Sequence, residues 1–131
     1  MNKSGIIKFL NENELSDIQE IEYKEGLVLR FFYDFDDVEL DGAKAYSNEE
    51  SDYEEESAEW YSEFFLPYLN DTAIDNVTDI VDELNEEFGV ETQFISYDID
   101  SSNYSYNEFV AVFFEGDKKI DIDDVMDELG L

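Results

Sequence analysis

One stretch, Asn70–Phe88, has the pattern of a long amphipathic helix, and it constrains the fold of the whole chain. At about 100° per residue, its apolar side chains fall on one stripe. These side chains are Ile74, Val77, Val81, Leu84 and Phe88. Asn70 or Asp71 can cap the start, and Gly89 stands where a helix usually ends. The stretch therefore predicts a helix that packs one face against a core.

Four carboxylates lie on nearly the opposite face of this predicted helix. We call them the central acidic row: Asp75, Asp79, Asp82 and Glu86. No Lys or Arg offers them an i,i+4 partner, and no basic residue occurs between Lys44 and Lys118. A run of like charges on one helix is usually only a solvated face, so the row needs support from the rest of the chain.

The composition of the whole chain combines high charge with a large apolar content. There are 37 acidic and 7 basic residues, which gives a formal charge of −30. Such a charge is typical of disordered chains, but 43% of the residues are hydrophobic, including 11 Phe and 9 Tyr. We expect a single domain, residues 1–131, with an aromatic core inside an acidic shell.

The absence of cysteine and histidine excludes several kinds of chemistry. Disulfides, thiolate nucleophiles, Ser-His catalysis and zinc sites with sulfur or imidazole ligands all need these residues. We find no activated nucleophile or base and no glycine-rich phosphate loop, and we therefore expect neither an enzyme nor a cofactor. The apolar runs are too short for a signal peptide or a membrane span, so we expect a cytoplasmic protein without membrane contact.

The remaining patterns predict an α+β fold. Strand alternation and turn residues indicate two hairpins, which would form a four-stranded antiparallel sheet with helices packed on one face. The predicted helices are Ser4–Asn11, Tyr53–Leu66, Asn70–Phe88 and Asp121–Leu129, and the strands are Ile18–Lys24, Leu27–Asp36, Val90–Asp100 and Glu108–Glu115. We predict a loop over Asp37–Asp52, and a break or kink at Leu66 because Pro67 follows it.

Two further sets of residues are candidates for contact with a partner. Glu55, Glu59 and Glu63 share one face of the predicted Tyr53–Leu66 helix. Tyr104 and Tyr106 lie in the polar connection Ser101–Asn107, and tyrosine is enriched at interface hot spots. A merely solvated hairpin tip is the alternative interpretation of that connection.

A dedicated metal site is not predicted. Asp98, Asp100 and Ser102 supply the first positions of a calcium loop of the EF-hand type, but Asn103 stands where glycine is required and Phe109 where the bidentate Glu belongs. The other acidic clusters also lack the required spacing. Weak, adventitious binding of divalent cations is all that we expect.

The charge pattern predicts an inhibitor that occupies the nucleic-acid site of a basic protein or nuclease, with carboxylates in place of phosphates. In composition alone the chain resembles the small, acidic, cysteine-free DNA mimics of phages and mobile elements, which block restriction, CRISPR or repair enzymes. No stretch matches such a family by motif. The alternatives are an immunity protein against a basic nuclease toxin, a divalent-cation-binding module, and a domain with no dedicated partner. Halophilic adaptation fits poorly with the many large aromatic residues.

Overall fold

The structure, a computed structural model, describes all residues from Met1 to Leu131. The helices are α1 (Lys3–Glu12), α2 (Asp37–Glu50), α3 (Ala58–Trp60), α4 (Leu66–Phe88) and α5 (Ile122–Leu129). The strands are β1 (Leu15–Ile21), β2 (Leu27–Asp34), β3 (Glu91–Ser96) and β4 (Tyr106–Phe114). All strand pairs are antiparallel, and the order across the sheet is β1-β2-β4-β3. The predicted α+β class and the two hairpins are confirmed.

The two central strands bury side chains on both faces of the sheet. On the helical face, Leu29 and Phe31 of β2 and Phe109 of β4 join the larger core, to which α1, α2 and α4 contribute. On the second face, Val28 and Val112 form a smaller core with α5. The main helical layer therefore lies on one face, as predicted, and the short α5 is an addition on the other.

Helix α2 corrects the prediction of a loop over Asp37–Asp52. Asp36 caps the helix: its side chain accepts a hydrogen bond from the Glu39 N–H at 2.8 Å, and the Glu39 side chain accepts one from the Asp36 N–H at 3.1 Å. This reciprocal capping box satisfies two backbone groups that would otherwise lack partners. Only Ala43 and Ser47 are buried in α2, so the helix has no long apolar stripe by which a sequence pattern could reveal it.

Replacing Asp36 with Ala is expected to lower the free energy of unfolding by about 1 kcal/mol, because the N-terminal amides of α2 lose their acceptor. Urea unfolding monitored by circular dichroism measures this loss. Asp41→Ala, at an exposed position inside the same helix, removes the same charge without removing a cap. Equal losses in the two variants would contradict the role of the capping box.

Strand β1 begins earlier than predicted because its alternation is broken. The register with β2 shifts between Ser16 and Gln19, and Asp17 has a φ of 49°, which marks a β-bulge. Leu15 and Ile18 consequently both join the larger core although they are three residues apart. A strict period of two cannot identify such a strand.

The two predicted central helices form one continuous helix. A π-helical turn, Tyr61–Phe65, joins α3 to α4, and the backbone is right-handed helical at both junctions. We call the whole element the long helix (Ala58–Phe88). The break at Leu66 and the start of a helix at Asn70 or Asp71 were therefore wrong predictions. The end at Gly89 is confirmed, since this glycine adopts the left-handed conformation with a φ of 63°.

The π turn explains how the long helix continues through Pro67. Proline has no N–H, and in a regular α-helix its ring clashes with the carbonyl four residues earlier. Here the Leu66 N–H donates a hydrogen bond to the Tyr61 carbonyl, five residues earlier, so the turn is wider where the proline ring needs room.

Contrary to the prediction, Asn70 does not cap a helix. Its side-chain amide donates a hydrogen bond to Asn107 Oδ1 at 2.8 Å and connects the long helix to β4.

None of the helices combines the length and the apolar character that crossing a membrane requires.

Candidate protein-interaction surface

The central acidic row lies on the solvent side of α4. All four carboxylate side chains are exposed, whereas Leu69, Ala73, Val77, Val81 and Leu84 of the same helix are buried against the sheet. The separation of the two faces follows from the 3.6-residue period predicted for this stretch. The row therefore has the exposure that contact with a partner needs.

The other three predicted acids, Glu55, Glu59 and Glu63, lie partly on the long helix and partly in the loop before it. Glu59 and Glu63 are exposed on α3 and the π turn. Glu55 precedes the helix and accepts a hydrogen bond from the Asn48 side chain at 2.8 Å, so its predicted place on a helix was wrong. Glu55 still contributes to the same acidic end of the molecule, next to α2.

The π turn brings Glu63 closer to the direction of the central acidic row. In an unbroken α-helix, Glu63 would be rotated by about 120° from Asp75 around the helix axis. Residues in the wider turn rotate the chain by less than the usual ~100° each, so the angle is smaller here. Glu63, Asp71 and Asp75 line the same groove. We call Glu59, Glu63 and the central acidic row together the acidic stripe, which begins before the stretch in which the sequence pattern shows it.

The basic residues that form ion pairs lie elsewhere in the molecule. Lys3 and Lys8 pair with acids on β1 and α1, Lys24 pairs with Glu128 of α5, and Arg30 pairs with a carboxylate on β4. The amino terminus pairs with Glu115. Lys44 is the one basic residue between Asp37 and Phe88, and it makes no ion pair. The carboxylates of α2 and the long helix thus form no ion pair within the chain.

An aromatic groove runs between α2 and the long helix. Its volume is about 410 Å³, and it is lined by Tyr46, Glu63, Phe64, Pro67, Tyr68, Asp71, Thr72 and Asp75. The rings of Tyr46 and Tyr68 stack with centroids 4.9 Å apart, and Tyr46 is 41% exposed. The sequence pattern does not predict this groove, because the α2 segment has the composition of a loop. The capping pattern at Asp36 and Glu39 was the signal that could have revealed it.

A second groove adjoins the first on the far side of Phe64. Its volume is about 520 Å³, and Tyr53, which is 44% exposed, lies in it beside Glu63. The neighbouring Glu63 carboxylate raises the pKa of the Tyr53 phenol, because it stabilises the protonated form. Both grooves therefore expose aromatic rings next to carboxylates.

The two tyrosines of the Ser101–Asn107 connection point to different parts of the molecule. Tyr104 is half-buried and packs edge-on against Phe65, with ring centroids 4.9 Å apart, so it supports the π turn. Tyr106 begins β4 and packs against Phe32 at 5.3 Å, and Phe32 projects from the second face. The structure does not bring these residues together, and neither lines the aromatic groove.

A polar network fixes α2 to the sheet and to α4. The Tyr33 hydroxyl donates to Glu39 at 2.5 Å, and the Asn76 amide donates to the Tyr33 hydroxyl at 2.8 Å. Burial, together with the neighbouring Glu39 carboxylate, raises the pKa of Tyr33. The network therefore ties the first turn of α2 to α4, the two elements that carry the rings of Tyr46 and Tyr68.

Replacing Tyr33 with Phe is expected to lower the free energy of unfolding by about 1 kcal/mol at neutral pH. Because folding raises the pKa of Tyr33, its contribution is complete below the unfolded value of about 10 and declines as the pH rises above it. The difference between wild type and Tyr33→Phe should therefore shrink in alkaline solution. Urea unfolding between about pH 7 and pH 11 measures it. Tyr46→Phe is the control, and an undiminished difference for Tyr33→Phe would contradict the assignment.

No group of three or more acidic side chains is placed to hold a metal ion. In the loop whose first positions resemble a calcium loop, Asp100 accepts a hydrogen bond from the Ser102 N–H at 2.9 Å, which lowers the pKa of this carboxyl group. The loop is closed by its own hydrogen bonds.

Comparison with known proteins gives no match: no family model, no curated protein and no solved structure is significantly similar to the chain. The function must therefore be inferred from the surface itself.

Proposed function

We propose that the protein is an inhibitor that occupies the nucleic-acid-binding site of a basic protein, for example a restriction, CRISPR or repair enzyme. One observation carries the proposal: the long helix exposes the acidic stripe, and none of its carboxylates forms an ion pair with a Lys or Arg of the chain. Such an arrangement is unfavourable for the isolated chain, because like charges repel in the compact state.

The dimensions of the stripe support the proposal. At a rise of about 1.5 Å per residue, Glu59 and Glu86 are roughly 40 Å apart along the helix axis. This length is close to one turn of B-form DNA, about 34–36 Å. Arginine forks pair with carboxylates in the same bidentate way as with phosphates. A cationic cleft that fits a DNA duplex would accordingly attract this surface and increase the rate of association.

The proposed partner and location follow from the same charge. A body with a net charge of −30 repels nucleic acid, so direct nucleic-acid binding is not part of the proposal. The partner is a basic nucleic-acid-binding protein or nuclease, and the proposed location is the cytoplasm, where such enzymes act. Immunity against a nuclease toxin would use the same surface with a toxin as the partner.

The proposal is tested by capture and competition. The immobilised chain is exposed to nuclease-treated host lysate at low salt, and bound proteins are eluted by a salt step. We expect the captured protein to bind either DNA or this chain but not both, with an apparent dissociation constant that rises steeply with salt. A ternary complex with DNA, or binding that is insensitive to salt, would overturn the proposal. Capture of a toxin that is encoded beside this gene would instead indicate immunity.

A further inference from the structure

The aromatic groove differs in kind from the rest of the acidic stripe. Carboxylates on a helix attract any cation, but here they lie beside the exposed ring of Tyr46 and the half-buried rings of Tyr68 and Phe64. Tyr46 of α2 stacks on Tyr68 of α4, and its ring lies 6.4 Å from that of Phe64 in the π turn. Thr72 adds a hydroxyl group to the wall. A ring face bordered by negative charge favours a planar cation.

We propose that the aromatic groove receives an arginine side chain of the partner, an inference that rests on the proposed function. The guanidinium group stacks over the exposed part of the Tyr46 ring and pairs with Glu63 or Asp75 at the rim. Arginine suits this site better than lysine because its planar group can stack on a ring and bind a carboxylate with two donors at once. The groove thereby supplies a selectivity that charge alone does not provide.

Other occupants fit the groove less well. A second copy of the chain would bring a further charge of −30 to the same place. An anionic ligand would meet Glu63, Asp71 and Asp75, with no basic residue along the groove. A metal ion would find no group of three acidic side chains arranged to hold it. A cation with a flat, apolar surface satisfies both the rings and the carboxylates.

The inference is tested with two labelled peptides that alternate glycine with either arginine or lysine. Fluorescence anisotropy gives the affinity of each for the full chain at low salt. We expect the arginine peptide to bind about threefold to tenfold more tightly than the lysine peptide. Tyr46→Leu should abolish this preference, whereas Tyr46→Phe, which keeps the ring, should retain it. Tyr106→Leu is the matched control, because Tyr106 is 37% exposed and lies outside the groove.

An NMR titration of the wild-type chain tests the same site without a substitution. The arginine peptide should shift the NMR signals of the Tyr46 and Tyr68 rings more than that of Tyr106. Equal affinity for both peptides, with no effect of Tyr46→Leu, would overturn the arginine site and leave the charge-based inhibitor intact. If neither peptide binds at low salt, the proposed function fails together with the arginine site.

Discussion

Neutralising the central acidic row is expected to abolish capture of the basic partner while the fold remains intact. The variant carries Asp75→Asn, Asp79→Asn, Asp82→Asn and Glu86→Gln. If each lost charge pair contributes somewhat less than 1 kcal/mol, the apparent dissociation constant should rise about 100-fold. Surface plasmon resonance with the captured protein at low salt measures this change.

A second variant with the same change in net charge serves as the matched control. It neutralises four exposed acids of the loops and α5, none of which forms an ion pair: Glu22→Gln, Glu25→Gln, Asp117→Asn and Asp127→Asn. We expect it to weaken binding only slightly. Neither variant should lose stability, because both relieve repulsion between like charges. Equal binding losses would mean that total charge, rather than the central acidic row, determines capture.

Replacing Trp60 with Ala is expected to lower the free energy of unfolding by about 3–5 kcal/mol, because it leaves a large cavity in the core. Trp60 is 1% exposed and stacks on Phe65 with ring centroids 4.8 Å apart. Its indole N–H also donates to Asn48 Oδ1 at 3.0 Å, which joins the long helix to the end of α2. A loss of this size is a large part of the stability of an ordinary domain.

Urea unfolding, monitored by far-ultraviolet circular dichroism, measures the effect of Trp60→Ala. Tyr53→Ala provides the comparison, since this ring lies nearby but is 44% exposed, and we expect it to lose less than about 1 kcal/mol. If Trp60→Ala were as mild as Tyr53→Ala, the packing of Trp60 against Phe65 and α2 would be weaker than these contacts indicate.

The parts of the structure that the sequence predicts well are those with a regular apolar period. The inward stripe of α4 needs only the 3.6-residue repeat of Val77, Val81 and Leu84, and the exposure of the central acidic row follows from it. Strands β2 and β4 are equally predictable, because their side chains alternate between two buried faces. Periodicity is a local property, so it can be read without knowledge of tertiary contacts.

Helix α2 has a local sequence signal, its capping box, but the polar composition of the segment favours a loop. Its segment contains Gly42, many polar residues and few apolar ones, which favours a loop. The capping box of Asp36 and Glu39 instead starts a helix, and Ser47 fits its buried side because its hydroxyl donates to the Ala43 carbonyl at 2.7 Å. Helix propensity predicts such a segment poorly, because a few tertiary contacts decide whether it is helical.

The candidate site was only partly predictable, because it depends on contacts between distant segments. The shared groove of Glu63 and Asp75 depends on a helix that continues through Pro67, which no sequence rule applied to Pro67 indicates. The pairing of Tyr46 with Tyr68 depends on where α2 packs. Tyr104 and Tyr106 are close in sequence, but the start of β4 separates their environments.

The unequal placement of the basic residues has a consequence for the approach of a partner. Lys3, Lys24, Lys118 and Lys119 lie towards the amino-terminal helix, the β1–β2 turn and the segment before α5, whereas α2 and the long helix contain only Lys44. The molecule therefore carries its negative charge unevenly, with a higher density on α2 and the long helix than on the rest of the chain. In the field of a cationic body it experiences a torque that turns the carboxylate-rich side forward before any contact forms, so that fewer collisions are misoriented.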